Sequence, residues 1–98
     1  MTRREEYINK LAAQLKEWSA KIDELQAKGA KAKAEMKTEY EKQVKTLRVK
    51  QEAAKVKLQE LTGASEEAWE GIKISSDRIW DELKTAISNT VDKFKKAA

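Results

Sequence analysis

The sequence predicts an all-α protein, an antiparallel helical hairpin with a long first helix. Three observations lead to this fold class. The 98 residues include no proline and only three glycines. Alanine, lysine, glutamate, leucine and glutamine dominate, and these residues lose least on entering a helix. Large apolar residues recur at steps of three and four, which is the spacing of a coiled-coil seam. The length suits one helical domain, 1–98.

The first helix is predicted over about residues 3–61, and its most regular part comes first. Polar residues fill almost every position between the apolar ones there, so the seam is narrow and matches another helix. The seam consists of six large apolar residues: Ile8, Leu11, Leu15, Trp18, Ile22 and Leu25.

Gly29 is the one residue that could interrupt this helix. A lone glycine in a helix costs only about 1 kcal/mol, and the alanines around it support helix. No Ser, Thr, Asp or Asn follows directly that could cap a new helix. The sequence therefore favours a continuous helix through residues 27–30. A second turn near Gly29, which would give a monomeric three-helix bundle, is the alternative.

A clear break is predicted at residues 62–65. Gly63 suits the left-handed position that closes a helix, and Ser65 suits the N-cap of the next. Glu66 and Glu67 are favourable in a first turn. The second helix is therefore predicted over about residues 66–96.

Folding the chain at that break pairs residues about a centre at 63–64. Tyr40 then lies opposite Ile87, and Phe94 lies opposite Ala32–Lys33. The predicted hairpin core comprises Met36, Tyr40, Val44, Leu47, Leu58, Leu61, Trp69, Ile72, Ile79, Trp80, Leu83, Ile87, Val91 and Phe94.

This pairing leaves the seam from Ile8 to Leu25 without a partner inside the chain. Each large apolar side chain contributes roughly 1.5–3 kcal/mol when it is buried. The six seam residues are therefore predicted to form an oligomer interface, most simply in a coiled-coil or helical-bundle dimer. An exchange of the N-terminal third between two chains would bury the same seam.

The composition disfavours most kinds of catalytic and metal site. The chain has no cysteine and no histidine, so thiolate chemistry and the commonest metal ligand are missing. Carboxylates such as Glu70 and Asp77 fall on exposed turns without a nucleophile or a ligand spacing. We expect no enzyme activity, no cofactor, and no catalytic or metal-binding residues. Residues 1–6 contain no apolar segment, which predicts a soluble cytoplasmic protein.

The predicted function is that of a structural interaction protein that binds other helices, chiefly itself, with an unidentified protein as a further partner. The alternative is an anionic-surface binder. Residues 28–57 hold ten basic and four acidic side chains, and a basic helix can follow the phosphates of nucleic acid or of a lipid membrane.

The helical segments also resemble a known group of proteins. The segment EEYINKLAAQLKEWSAKIDELQA (5–27) is followed by EYEKQVKTLRVKQEAAKVKLQEL (39–61), and then by EEAWEGIK and WDELKTAI. This pattern resembles small bacterial coiled-coil domain-containing proteins of about this length. The resemblance implies a bacterial source, a soluble helical hairpin and no assigned activity.

Overall fold

The computed structural model describes residues 2–97, with side chains described for residues 2–95, and it confirms the all-α class. Three helices follow one another, α1 (Arg3–Ala30), α2 (Ala34–Gly63) and α3 (Glu66–Ala97). They pack as an up-down-up bundle of 50 × 20 × 18 Å. α2 packs extensively on both neighbours, whereas α1 and α3 contact each other less.

The expectation of one helix over residues 3–61 is corrected by a reversal at residues 31–33. The alternative, with a second turn near Gly29, describes the fold. The physical reason is burial within one chain. Folding α1 back onto α2 covers the apolar seam, at roughly 1.5–3 kcal/mol for each large side chain. Breaking the helix gives up only a few hydrogen bonds, each with a net contribution of about 1 kcal/mol.

The core runs the length of the bundle and draws on all three helices. Ile22, Leu61 and Leu83 are completely buried. The other buried apolar residues are Leu11, Leu15, Leu25, Val44, Leu47, Ala54, Trp80, Ile87 and Phe94. Each of the fourteen residues predicted for the hairpin core is buried or half-buried.

The connection between α2 and α3 consists of Ala64 and Ser65 only. Ser65 caps α3, because its Oγ accepts a hydrogen bond from the Ala68 N–H at 3.3 Å. The predicted left-handed conformation of Gly63 is wrong, since no residue within 2–97 has a positive φ. Gly63 ends α2 in a helical conformation, and the extended Ala64 (φ −73°, ψ 145°) stops the helix instead.

The pairing of α2 with α3 differs from the predicted register at the far end. Phe94 stacks on Tyr40, with ring centroids 3.6 Å apart and planes 10° apart, rather than lying opposite Ala32–Lys33. The shift is about two helical turns. The extended Ala64 separates the end of α2 from the start of α3.

Candidate functional site

The seam of α1 is buried inside the chain. Leu11, Leu15, Ile22 and Leu25 are at most 6 % exposed, and the half-buried Ile8 and Trp18 pack against the same core. The prediction that these six residues form an oligomer interface depended on a seam without an internal partner. The structure supplies that partner in α2 and α3, so a dimer needs a different argument.

The connection from α1 to α2 is short and contains no capping side chain. α1 closes with two hydrogen bonds of the 3₁₀ type, each spanning three residues. They run from the Lys31 N–H to the Lys28 carbonyl and from the Ala32 N–H to the Gly29 carbonyl, both 3.2 Å. Lys31 keeps helical angles (φ −98°, ψ −3°). Lys33 is extended (φ −62°, ψ 152°) at the N-cap of α2 and makes no side-chain cap.

Gly29 serves a purpose other than breaking the helix. It lies buried inside α1, one residue before the end of the helix. A Cβ at this position would lie 2.7 Å from the Cβ of Tyr40, closer than van der Waals contact allows. Glycine therefore permits the close approach of α1 to α2 beside the reversal.

One end of the bundle collects lysines from three separate segments. This lysine-rich end comprises the last turns of α1, the connection 31–33, the first turns of α2 and residues 91–95 of α3. Its lysines are Lys28, Lys31, Lys33, Lys37, Lys93 and Lys95, and its carboxylates are Glu24, Glu35, Glu39 and Asp92. The sequence placed the excess charge along 28–57, whereas the fold concentrates part of it at this end and adds lysines from α3.

Ion pairs neutralise only part of this charge. Glu24 contacts Lys28 at 3.3 Å and Lys21 at 3.4 Å, and Glu39 binds Lys93. Hydrogen bonds from Lys28 and Lys93 lower the pKa of Glu24 and of Glu39 respectively. The remaining cations, Lys31, Lys33, Lys37 and Lys95, form no ion pair with any described side chain. Three of them lie near the N-terminus of α2, where the helix dipole disfavours positive charge.

An apolar cavity of about 460 Å³ opens at the same end, between α1 and α3. We call it the end cavity. Its apolar lining consists of Leu25, Tyr40, Val91 and Phe94, and its charged lining consists of Lys21, Lys28 and Lys95. Sequence reasoning placed neither Lys21 nor Lys95 in a binding site, because only the parallel course of α1 and α3 brings them together.

Side-chain contacts between the helices hold the opposite end of the bundle together. Arg4 donates to the carbonyls of Leu61 (3.0 Å) and Ala64, so a residue of α1 caps the C-terminus of α2. Tyr7 packs edge-on against Trp69, with ring centroids 5.6 Å apart, and its hydroxyl donates to Asp77. Burial, followed by the hydrogen bond to Asp77, raises the pKa of Tyr7 to about 12.

The tryptophans lie in or beside the core. Trp80 is buried, whereas Trp18 and Trp69 are half-buried. Trp18 and Trp80 border a second cavity of about 310 Å³ between α1 and α3, whose other lining side chains are polar or charged. Among the described residues, no three His, Cys, Asp or Glu side chains come together as they would around a metal ion.

Comparison of the chain with models of protein families, with curated proteins and with solved structures finds no match. The resemblance to small bacterial coiled-coil proteins therefore stays a prediction. No helix in the described part of the chain has the length and apolar character needed to cross a membrane.

Proposed function

We propose that this chain is an interaction protein that binds helices, chiefly those of a second copy of itself, by exchanging α1. The observation that carries the proposal is the uncapped connection at residues 31–33. In the exchanged dimer, α1 of each chain packs on α2 and α3 of the other.

The exchange preserves the contacts that stabilise the bundle. The buried seam of α1, with Leu15 and Ile22 at its centre, finds an identical surface on the partner. Because the contacts between chains replace the same contacts within a chain, they largely cancel in the comparison of monomer with dimer. The balance is then set by the conformation of the connection and by protein concentration.

The connection can straighten at little cost. Straightening moves Lys31 from φ −98°, ψ −3° and Lys33 from ψ 152° to helical angles of about −63° and −42°. Lysine and alanine are good helix formers, and straightening regains the hydrogen bonds that the break gives up. The result is one helix of about 60 residues, ~90 Å long at 1.5 Å per residue.

The outward faces of the helices offer little to another helix. The exposed large apolar residues are Val49, Val56 and Ile74. Val49 and Val56 are seven residues apart on α2, but two valines do not make a seam, and isolated exposed apolar residues are normal. Self-association through α1 therefore has more apolar surface to use than docking on the outside.

Proline at residue 34 tests the exchange. Ala34 is the first residue of α2, where proline is favoured, and the extended Lys33 before it suits an X-Pro pair. In a straightened helix the same proline costs about 3 kcal/mol. Sedimentation equilibrium should show a concentration-dependent dimer for the wild type and a monomer for Ala34→Pro. Deleting residues 30–33, about one helical turn, keeps the apolar faces of α1 and α2 in phase in a continuous helix. This deletion should favour the dimer, because the shortened connection no longer allows the reversal.

Glu66→Pro is the matched control, since it places proline at the first residue of α3, directly after the N-cap residue Ser65. It should leave the association of the chain unchanged. A wild-type chain that stays monomeric up to millimolar concentration, together with a deletion variant that unfolds without dimerising, would contradict the exchange. Capture of a different helical protein by the α2–α3 surface would replace the second copy with another partner.

Binding to an anionic lipid surface is the second candidate function, favoured by the lysine-rich end. A nucleic acid is disfavoured there, because this end has no arginine and its aromatic rings, Tyr40 and Phe94, stack on each other. Binding to phosphatidylglycerol vesicles should fall when Lys31, Lys33 and Lys37 are changed to glutamine. The same change at Lys42, Lys45 and Lys55, elsewhere on α2, should reduce binding less. Binding to an oligonucleotide but not to vesicles would sink this candidate.

A further inference from the structure

The end cavity combines an apolar floor with a positively charged opening. Its floor is apolar, formed by Leu25 from α1, Tyr40 from α2, and Val91 and Phe94 from α3. Its volume of about 460 Å³ lies within the range of small-molecule sites, about 300–1,000 Å³. An apolar floor offers water no hydrogen bonds, whereas burial of an alkyl chain against it is favourable in free energy.

The charged residues that line the cavity are all lysines. Lys21 and Lys28 come from α1 and Lys95 from α3, so cations stand on both sides of the opening, and no carboxylate of the described residues lines it. Glu24 holds Lys21 and Lys28 through ion pairs on α1. Lys95 has no ion pair among the described side chains. Three ammonium groups around one neighbouring carboxylate leave the opening positively charged.

We infer that the end cavity binds an anionic amphiphile, a molecule with one alkyl chain and a carboxylate or phosphate head group. The alkyl chain lies on Tyr40 and Val91, and the head group binds Lys28 and Lys95 at the opening. The inference shares its lysines with the second candidate function, but it depends on the cavity and not on a membrane surface. The chemistry fits both a free fatty acid and a single chain of a phospholipid.

Titration of the whole protein with sodium decanoate below its micelle concentration tests the inference. Amide resonances in two-dimensional NMR should shift in a saturable way around residues 25, 40, 91 and 94. Octanoate, which is shorter by two methylene groups, should bind about tenfold more weakly. The neutral 1-decanol should also bind more weakly than decanoate, because it lacks the charge that the lysines bind.

Two variants test separately how the charged opening and the apolar floor of the end cavity contribute to binding. Lys28→Gln combined with Lys95→Gln should weaken decanoate binding about tenfold. Lys45→Gln combined with Lys55→Gln, on exposed positions of α2, is the matched control and should change it little. Val91→Trp should fill the cavity and abolish binding. If that variant unfolds, the lysine pair still decides the question.

Equal binding of decanol and decanoate, equal weakening by the two lysine pairs, or shifts centred on Trp18 and Trp80 would each overturn the inference. A short-chain phosphatidylglycerol identifies the source of the ligand. Tighter binding than decanoate assigns the site to phospholipid, and weaker binding assigns it to free carboxylates. Decanoate binding without vesicle binding would leave the end cavity standing while the surface-binding candidate fails.

Discussion

The two connections of this bundle each reverse the chain within three residues or fewer, but they are encoded differently. Between α2 and α3, the local sequence supplies the start of the new helix, because Ser65 caps α3 with its own side chain. Between α1 and α2, the N-cap is Lys33, which provides no side-chain hydrogen bond. The first reversal is therefore imposed by packing, through the burial of the α1 seam and the close approach of Gly29 to Tyr40. A turn without local signals can be as definite as one that has them, provided that the helices it joins pack well.

The largest expected effect comes from weakening the packing that imposes the uncapped reversal. Ile22 in α1 is completely buried, so Ile22→Ala should lower the free energy of unfolding by about 3 kcal/mol. Urea denaturation followed by circular dichroism measures the change. Ile74→Ala, at a side chain 62 % exposed, is the control and should stay within about 0.5 kcal/mol of the wild type. Equal effects of the two substitutions would show that the seam does not pack inside the chain.

The glycine beside the uncapped reversal should respond differently from a glycine elsewhere. A new Cβ in Gly29→Ala meets Tyr40 at 2.7 Å, and overpacking typically costs 1–3 kcal/mol. The gain in helix propensity, about 0.5–1 kcal/mol, offsets only part of this cost. We expect a net destabilisation of about 1 kcal/mol by thermal unfolding. Gly71→Ala meets nothing within 4 Å and should stabilise the protein by about 0.5–1 kcal/mol. Stabilisation by both substitutions would instead indicate a continuous first helix.

Removing the cap of one connection and adding a cap to the other tests the difference between the two connections directly. Ser65→Ala should cost about 1 kcal/mol, because the Ala68 N–H loses its acceptor. Lys33→Ala removes no cap and should change stability by less than about 0.5 kcal/mol. Lys33→Asp supplies the missing cap and a favourable charge at the N-terminus of α2, and should stabilise the protein by about 0.5–1 kcal/mol. Equal losses for Ser65→Ala and Lys33→Ala in chemical denaturation would contradict the distinction between the two connections.

The smallest expected effect is a change in how stability depends on pH, caused by Tyr7, which joins α1 to α3 near the Ala64–Ser65 connection. The pKa of Tyr7 is raised from 10.0 to about 12 in the folded protein, so the folded state holds this proton more tightly than the unfolded state. Its contribution to stability is fully present below pH 10 and is lost as the pH rises towards 12. Tyr7→Phe should make the loss of stability over this range less steep. Identical pH profiles for the two proteins would show that Tyr7 titrates normally.

The α1 seam could be predicted because its signal is repeated. The residues Ile8 to Leu25 form a face by their spacing alone, and the same spacing identifies the hairpin core. A second chain was predicted to cover that face, whereas in the structure α2 and α3 of the same chain cover it. Periodicity specifies which side of a helix is buried but not what covers it. Gly29 indicated where a second turn could lie. Its role in close packing depends on Tyr40, eleven residues later.

The candidate site was even less visible in the sequence. The excess of lysine over residues 28–57 could be counted, but Lys95 joins Lys28 only because α3 runs parallel to α1 in the finished bundle. The end cavity likewise depends on the register that places Phe94 on Tyr40. No periodic pattern records how far α3 is displaced along α2.

Local features of the sequence are enough to establish that this protein is helical, which faces of its helices are apolar, and where α3 begins, because propensity, periodicity and a capping serine act over a few residues. The packing of the three helices establishes that the chain reverses at residues 31–33, how α3 is placed along α2, and which lysines surround a cavity. Those features depend on the free energy of burying surfaces that are distant in sequence, and that term exceeds the local preference of the connection for a continuous helix.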